Sequence, residues 1–214
     1  MTRSRLLVAV LAPLLFFSAL EGALRLAGAG HATSFHLERS VGGAPCRVDN
    51  VKFGWRFFNS PRLARKPWPF VLPAHKATNE VRVFVLGESA AMGDPDPAFG
   101  FCRILETMLE AQPGGRRFRV INTGMVAINS HVVREIARDV ARLEPDVVLV
   151  YMGNNEVIGP YGPGSVFSFF SSRLGLIRAS LWLKSLRTSQ VLAALLRSRA
   201  DKQASWQGME QFLG

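Results

Sequence analysis

The residues best suited to chemistry stand at the ends of three apolar runs. Ser89 sits in VRVFVLGESAAMG (Val81 to Gly93), Gly124 closes FRVINTG, and Asn155 lies in VVLVYMGNNE. A serine hydroxyl is a weak nucleophile without a base, and an ester carbonyl under attack needs donors for the oxygen that becomes negative. At a strand-to-helix turn Ser89 supplies the hydroxyl and its own N–H. Gly124, lacking a Cβ, lets a substrate approach the backbone and offers a second N–H. Asn155 offers a neutral amide donor, of a kind worth about 10²–10³ in rate. Taken singly, each residue has a plainer reading: a small residue in a tight turn for Ser89, a turn residue bonding its own backbone for Asn155, chain geometry for Gly124. Three of them in series, each after a strand-like run, favour chemistry. Asn154 reads as structural.

The elements that must position them are set by periodicity. VRVFVLG has the continuous apolar character of a buried strand. Asp94-Pro-Asp-Pro97 breaks the chain and caps the next element, and Phe101, Ile104, Leu105, Met108 and Leu109 recur at helical spacing. QPGGRR stops that helix and FRVINTG is a second strand. Ser130 is placed to cap a helix with the stripe Val132, Val133, Ile136, Val140 and Leu143, and VVLVYMG is a third strand, apolar on both faces. Strands alternating with helices at this spacing are expected to form a parallel sheet, with ligands at the carboxyl ends of its strands. All three candidate residues fall at such ends.

GESA after the first strand, the glycine of NTG after the second and GNNE after the third resemble the first three motif blocks of the SGNH/GDSL hydrolases, over about residues 80–163. YMGNNEVIGPYGP is similar to a membrane-anchored bacterial subgroup of that family. The resemblance implies a flavodoxin-like, three-layer α/β domain with a parallel sheet. It implies Ser89 as nucleophile, Gly124 and Asn155 completing the oxyanion hole, and acyl transfer through a seryl ester with no metal or cofactor. The implied substrate is an acyl ester: a small molecule, a glycan or a lipid. Glu88 and Glu156 stand where the family more often has Asp, which keeps the charge and adds a methylene. GESAAMG also lies close to the G-x-S-x-G elbow of α/β-hydrolases, with Ala91 in the last place, but that fold does not predict GNNE. A dinucleotide fingerprint G-x-G-x-x-G is absent.

The base is missing. The family's D-x-x-H block has no counterpart: no histidine follows His131, and Asp201 is the only aspartate after Asn155. His31 and His36 lie just past the N-terminal segment. His75 precedes the first strand, hence the far edge of a sheet roughly 20 Å deep. His131 is on the correct side, but a helix N-terminus disfavours imidazolium, so it reads as a first-turn residue. Residues 80–165 are therefore expected to be an incomplete SGNH-like core, in the N-terminal part of a longer protein, with hydrolysis impaired. The alternative is a non-catalytic, membrane-anchored binding or assembly protein for cell-envelope glycans or lipids.

The flanks set the location. Two arginines in MTRSR precede the apolar run Leu6 to Leu20, Glu21 interrupts it, and Leu26 brings it to spanning length. Residues 1–28 are expected to be an uncleaved single-pass anchor with the domain on the extracytoplasmic, periplasmic side. A cleaved signal and a buried helix are the alternatives. Residues 29–79 read as an irregular lead-in; Trp55, Phe57, Arg62, Arg65 and Trp68 could make a nucleic-acid stacking patch, although buried aromatics are the commoner use. The chain carries a formal charge of +10, and the span 171–202, with seven Lys/Arg and one Asp, holds +6 of it. Such placement fits a membrane surface at least as well as nucleic acid, and no nucleic-acid motif accompanies it. Residues 166–214 are a basic helical segment whose Leu174, Ile177, Leu181, Leu186, Val191, Leu192, Leu195 and Leu196 either cover the domain or meet a membrane or partner. Cys46 and Cys102 form no metal spacing; they are separate thiols or, outside the cytoplasm, a pair.

Overall fold

The computed structural model describes residues 3–58, 60–165 and 173–201. They divide into two compact units, residues 1–31 with 179–214, and residues 32–178.

In the first unit, helix α1 (Arg3–Leu26) is apolar on every face. Its stretch Leu7–Leu26 has a mean hydropathy of 2.1 and is long and apolar enough to cross a membrane. Glu21 is paired with Arg25 one turn on, at 2.7 Å. It also accepts from the N–H groups of Arg187 and Thr188, at 2.9 and 3.0 Å, and from the Thr188 hydroxyl. The carboxylate thus caps the N-terminus of helix α6 (Arg187–Asp201), satisfying donors that no intrahelical carbonyl reaches.

The second unit holds two sheets. In the first, β1 (His36–Val41), β2 (Ala44–Asp49) and β3 (Val71–Pro73) pair antiparallel in the order β1-β2-β3. This stretch was expected to be irregular. Its strands are largely exposed and mixed in polarity, so they lack an apolar alternation, yet the Gly42-Gly43 turn at φ 59° and 83° makes the two-residue hairpin that fixes Val41 opposite Ala44. Beneath it, Phe35, Phe53 and Phe57 are fully buried, with Phe35–Phe53 and Phe53–Phe57 centroids 5.1 Å apart. The Arg56 guanidinium lies over the Phe53 and Phe57 rings. Phe57 is therefore core, not a stacking platform for bases.

The second sheet is parallel, in the order β5-β4-β6: β4 (Glu80–Gly87) is central, flanked by β5 (Arg117–Asn122) and β6 (Val147–Tyr151). The chain passes through α2 (Ser89–Met92), α3 (Phe101–Glu110) and α4 (Ser130–Val140) between strands. Val83, Phe84, Val85 and Leu86 are buried, as are Val132, Val133, Ile136, Val140 and Leu143. Two residues of β4 are charged and buried: Arg82 bonds Glu80 of the same strand (2.8 Å), the Leu143 carbonyl (2.9 Å) and the Pro73 carbonyl (3.0 Å). It ties β4 to β3 and to the turn entering β6.

Two apolar surfaces depart from expectation. Every residue of β6 is exposed, from 36% at Leu149 to 61% at Val150: β6 lies at the sheet edge and, unlike the other edge strand β5, both of its faces are open as well. On α3, only Cys102 is fully buried, while Phe101, Ile104 and Met108 face out. Phe101 meets Tyr151 edge to face, so the two surfaces join. Among the described residues after Tyr151, the only regular elements are α5 (Leu174–Ser185) and α6. Ile177 and Leu181 of α5 are buried; Leu174 of α5, and Leu192, Leu195 and Leu196 of α6, are exposed.

Candidate functional site

Ser89, Gly124 and Asn155 stand just beyond the carboxyl ends of β4, β5 and β6, and the three loops are bonded to one another. Ser89 opens α2 and is half-buried. Neither its hydroxyl nor its backbone N–H has an acceptor among the described residues. Gly87, at the end of β4, packs so closely that a Cβ there would overlap the Tyr151 carbonyl and the Ala91 side chain. Glycine is required at that point by contact, and its effect is to bring the first and third loops together.

The third loop is held by Glu88. This side chain is completely buried, and its carboxylate accepts from the N–H groups of Gly153 (3.3 Å), Asn154 (2.9 Å) and Asn155 (3.1 Å). Three successive amides converging on one carboxylate form a small anion nest, a rigid way to fix a loop. Asn155 is half-buried, and its side-chain amide has no partner among the described residues. The next residue, Glu156, reaches α4: its carboxylate accepts from the Ser130 N–H (2.9 Å) and hydroxyl (2.6 Å). The cap expected from the Ser130 side chain is thus made by Glu156, and the serine adds a donor to it.

The second loop is pinned to β4 by Thr123, whose N–H and hydroxyl both bond the Val85 carbonyl. Gly124 lies against α2: a Cβ would fall 2.6 Å from the Met92 nitrogen and 2.8 Å from its Cα. Its N–H, assigned from the sequence to an oxyanion, is instead held by Asn122 Oδ1 at 3.0 Å, while Asn122 Nδ2 donates to the Met92 carbonyl. An asparagine two residues earlier competes for the amide as Asx turns do. Gly124 accordingly serves close approach, and the Ser89 N–H and the Asn155 side-chain amide are the candidate donors left without a partner among the described residues. Asn122 also lines a cleft of about 260 Å³ with Trp68, Phe70, Pro97 and Arg103.

No histidine bonds Ser89 among the described residues. His131 is the second residue of α4 and packs edge-on against Tyr161, with centroids 6.2 Å apart. His75 is exposed before β4, at the opposite end of the sheet from Ser89, and His31 belongs to the first unit. His36 lies on β1, where burial holds its imidazole below its ordinary value of 6.5. Asp201 closes the described part of α6. Both cysteines are free and buried. Cys102 donates to the Ala91 carbonyl, and burial pushes its thiol up to about 11.

Three polar residues of this region were not singled out from the sequence. They are Asn122, Thr123 and Asn129, the last at the cap position of α4 and fully buried against Gly159 with both side-chain polar atoms unbonded. A run of polar residues just after an apolar strand was the available signal. No protein-family model, no curated protein and no solved structure matches this chain.

Proposed function

We propose that this chain carries the nucleophile and oxyanion side of a serine ester hydrolase of the SGNH/GDSL type. The observation that supports it best is the Glu88 nest. One buried carboxylate, adjacent to Ser89, fixes the loop that presents the Asn155 amide, so an unpaired hydroxyl and an unpaired amide donor are held by the same residue pair. The chemistry would be attack of Ser89 Oγ on an acyl ester, with the developing oxygen met by the Ser89 N–H and Asn155. No base among the described residues touches Ser89, so turnover by this chain is slow even if acylation geometry is good. The membrane reading extends the same proposal: α1 anchors the chain, and its N-terminal arginines keep the domain on the extracytoplasmic side.

A second reading is favoured by one specific observation: the histidine nearest in sequence to the loops, His131, packs edge-on against Tyr161 and does not approach Ser89 through any hydrogen bond. On that reading the loops bind an acylated glycan or lipid without cleaving it.

Labelling with a fluorophosphonate, read by intact mass and peptide mapping, separates the two. The hydrolase reading expects a slow, stoichiometric adduct at Ser89, abolished by Ser89→Ala, together with p-nitrophenyl acetate hydrolysis that falls in the same variant. No adduct at Ser89 after exhaustive incubation, with Ser89→Ala indistinguishable in hydrolysis, would leave only the binding reading.

A further inference from the structure

The first unit carries an interaction surface of its own. Glu21 stands five residues before the end of the stretch able to cross a membrane, roughly 7.5 Å from Leu26 along the helix axis. A carboxylate at that depth is costly unless satisfied or placed at the headgroup level. Here it is satisfied by Arg25 and by the first turn of α6. A second tie lies just beyond the helix end: the His31 N–H donates to Gln190 Oε1 at 2.8 Å, and Gly30 packs on Gln190 and Arg187. The start of α6 is therefore fixed beside the membrane end of α1 at two points, Glu21 and the turn at residues 30–31.

From there α6 presents Leu192, Leu195 and Leu196 on one face, 57–59% exposed. Spacing of three and four places them on a single stripe. Just before α6, Trp182 and Leu183 of α5 are also exposed, at 62% and 49%. The sequence around the stripe is basic, with Lys184 and Arg187 before it and Arg197 and Arg199 after it. An amphipathic helix with leucines on one side, cations at both ends and a fixed start at the end of a spanning helix is built to lie in the lipid interface.

We propose that α6 is an interfacial helix whose Leu192–Leu196 face enters the headgroup–acyl boundary of a bilayer carrying anionic lipid, held at that depth by Glu21. The occupant of this surface is the bilayer. Its continuity with α1 and the sign of the flanking charge argue for lipid over a covering protein. The proposal does not depend on the hydrolase reading.

The test uses the full chain in vesicles of phosphatidylcholine and phosphatidylglycerol, 3:1, with and without brominated acyl chains. An environment-sensitive fluorophore is placed at Leu192→Cys, at Leu196→Cys and, as the opposite face, at the exposed Ala194→Cys. Both natural cysteines are buried, so labelling is confined to the introduced thiol. A probe at Leu15→Cys reports insertion of α1. Quenching by brominated lipid at least threefold greater at 192 and 196 than at 194, reduced toward the value at 194 by Glu21→Gln, is the expected result. Equal quenching at the three α6 sites overturns the proposal. So does protection of 192 and 196 from both brominated lipid and aqueous iodide, which would put protein over the leucines, and so does absence of lipid quenching at position 15.

Discussion

Glu88→Gln tests the geometry of the candidate site most directly. In the native chain Glu88 Oε2 accepts from Asn154 and Asn155 at 2.9 and 3.1 Å, and Oε1 accepts the longer bond from Gly153 at 3.3 Å. An amide retains one acceptor oxygen and turns an NH₂ toward the remaining N–H groups. If the oxygen keeps the Asn154–Asn155 side, the Gly153 bond is lost; if it keeps Gly153, two bonds are lost. Either way a donor meets a donor around a side chain that is itself fully buried. Hydrogen bonds to a charged acceptor contribute about 1.5–3 kcal/mol each, and an unsatisfied buried donor costs a similar amount. The expected loss is about 3–5 kcal/mol, concentrated in the third loop. Amide hydrogen exchange of residues 153–155 measures it locally: a loss of 3 kcal/mol corresponds to roughly 150-fold faster exchange, while amides of β4 and β5 change little. The rate of fluorophosphonate adduct formation at Ser89 should fall in parallel, and Glu88→Asp should recover part of it, since the acceptor pair is restored one methylene short. Exchange at 153–155 accelerated by less than about tenfold would refute the nest as the element that fixes this loop.

Other parts of the second unit give four further expected outcomes. Removing Arg82 as Arg82→Met leaves buried Glu80 with only the longer Arg119 contact at 3.6 Å and should destabilise the chain by about 3–5 kcal/mol in urea, with Arg82→Met/Glu80→Gln recovering part of that loss. The Glu80 carboxyl is pushed up by burial but drawn down further by the Arg82 hydrogen bond and the charges of Arg82 and Arg119, so it lies below its ordinary 4.5; its contribution is present above pH 4.5 and lost as pH falls through the lower folded value, so the urea midpoint should drop below pH 4.5, and less steeply in Glu80→Gln. Cys102, buried and raised to about 11, is roughly one part in a thousand thiolate at pH 8, so neither it nor the buried Cys46 should react with iodoacetamide on a minutes scale until urea is added. Ala127 has φ 56°, a left-handed conformation costing about 1–2 kcal/mol for a residue with a Cβ, and Ala127→Gly should raise the melting temperature by a few degrees, net of the greater chain entropy of glycine.

The parallel sheet was legible because its strands and the stripe of α4 follow simple periods: Val83–Leu86 and Val132–Val140 are apolar where the packing needs them. The antiparallel sheet was not, because β1 and β2 pair through the backbone while HLERSV and APCRVD alternate too little to mark a buried face; only Gly42-Gly43 announced the hairpin. Exposure of β6 was hidden for a different reason. VVLVY has the composition of an interior strand, and composition says nothing about what lies beside it. In the candidate site, Ser89 and Asn155 were visible as residue types at strand ends. The role of Glu88 was not, since its partners are backbone amides 65 to 67 residues away. Gly124 was assigned an N–H that Asn122 occupies, a competition between neighbours that residue type and spacing do not decide.

The β6 edge has a consequence for how this chain behaves in solution. Natural edge strands are protected by lysine, proline, bulges or a covering element. VVLVY has none of the sequence devices, and both its faces are open as well as its edge. Five consecutive residues of high strand propensity, without charge, make a template onto which any extended apolar segment can add. During synthesis that template forms as soon as β4 and β6 pair, so self-association competes with folding of the rest of the chain, and its rate rises with chain concentration. A single lysine at Val150, the most exposed position, would lower that competition without touching Ser89, Glu88 or Asn155, and would turn yield of soluble chain into a measure of how much of its loss begins at one strand.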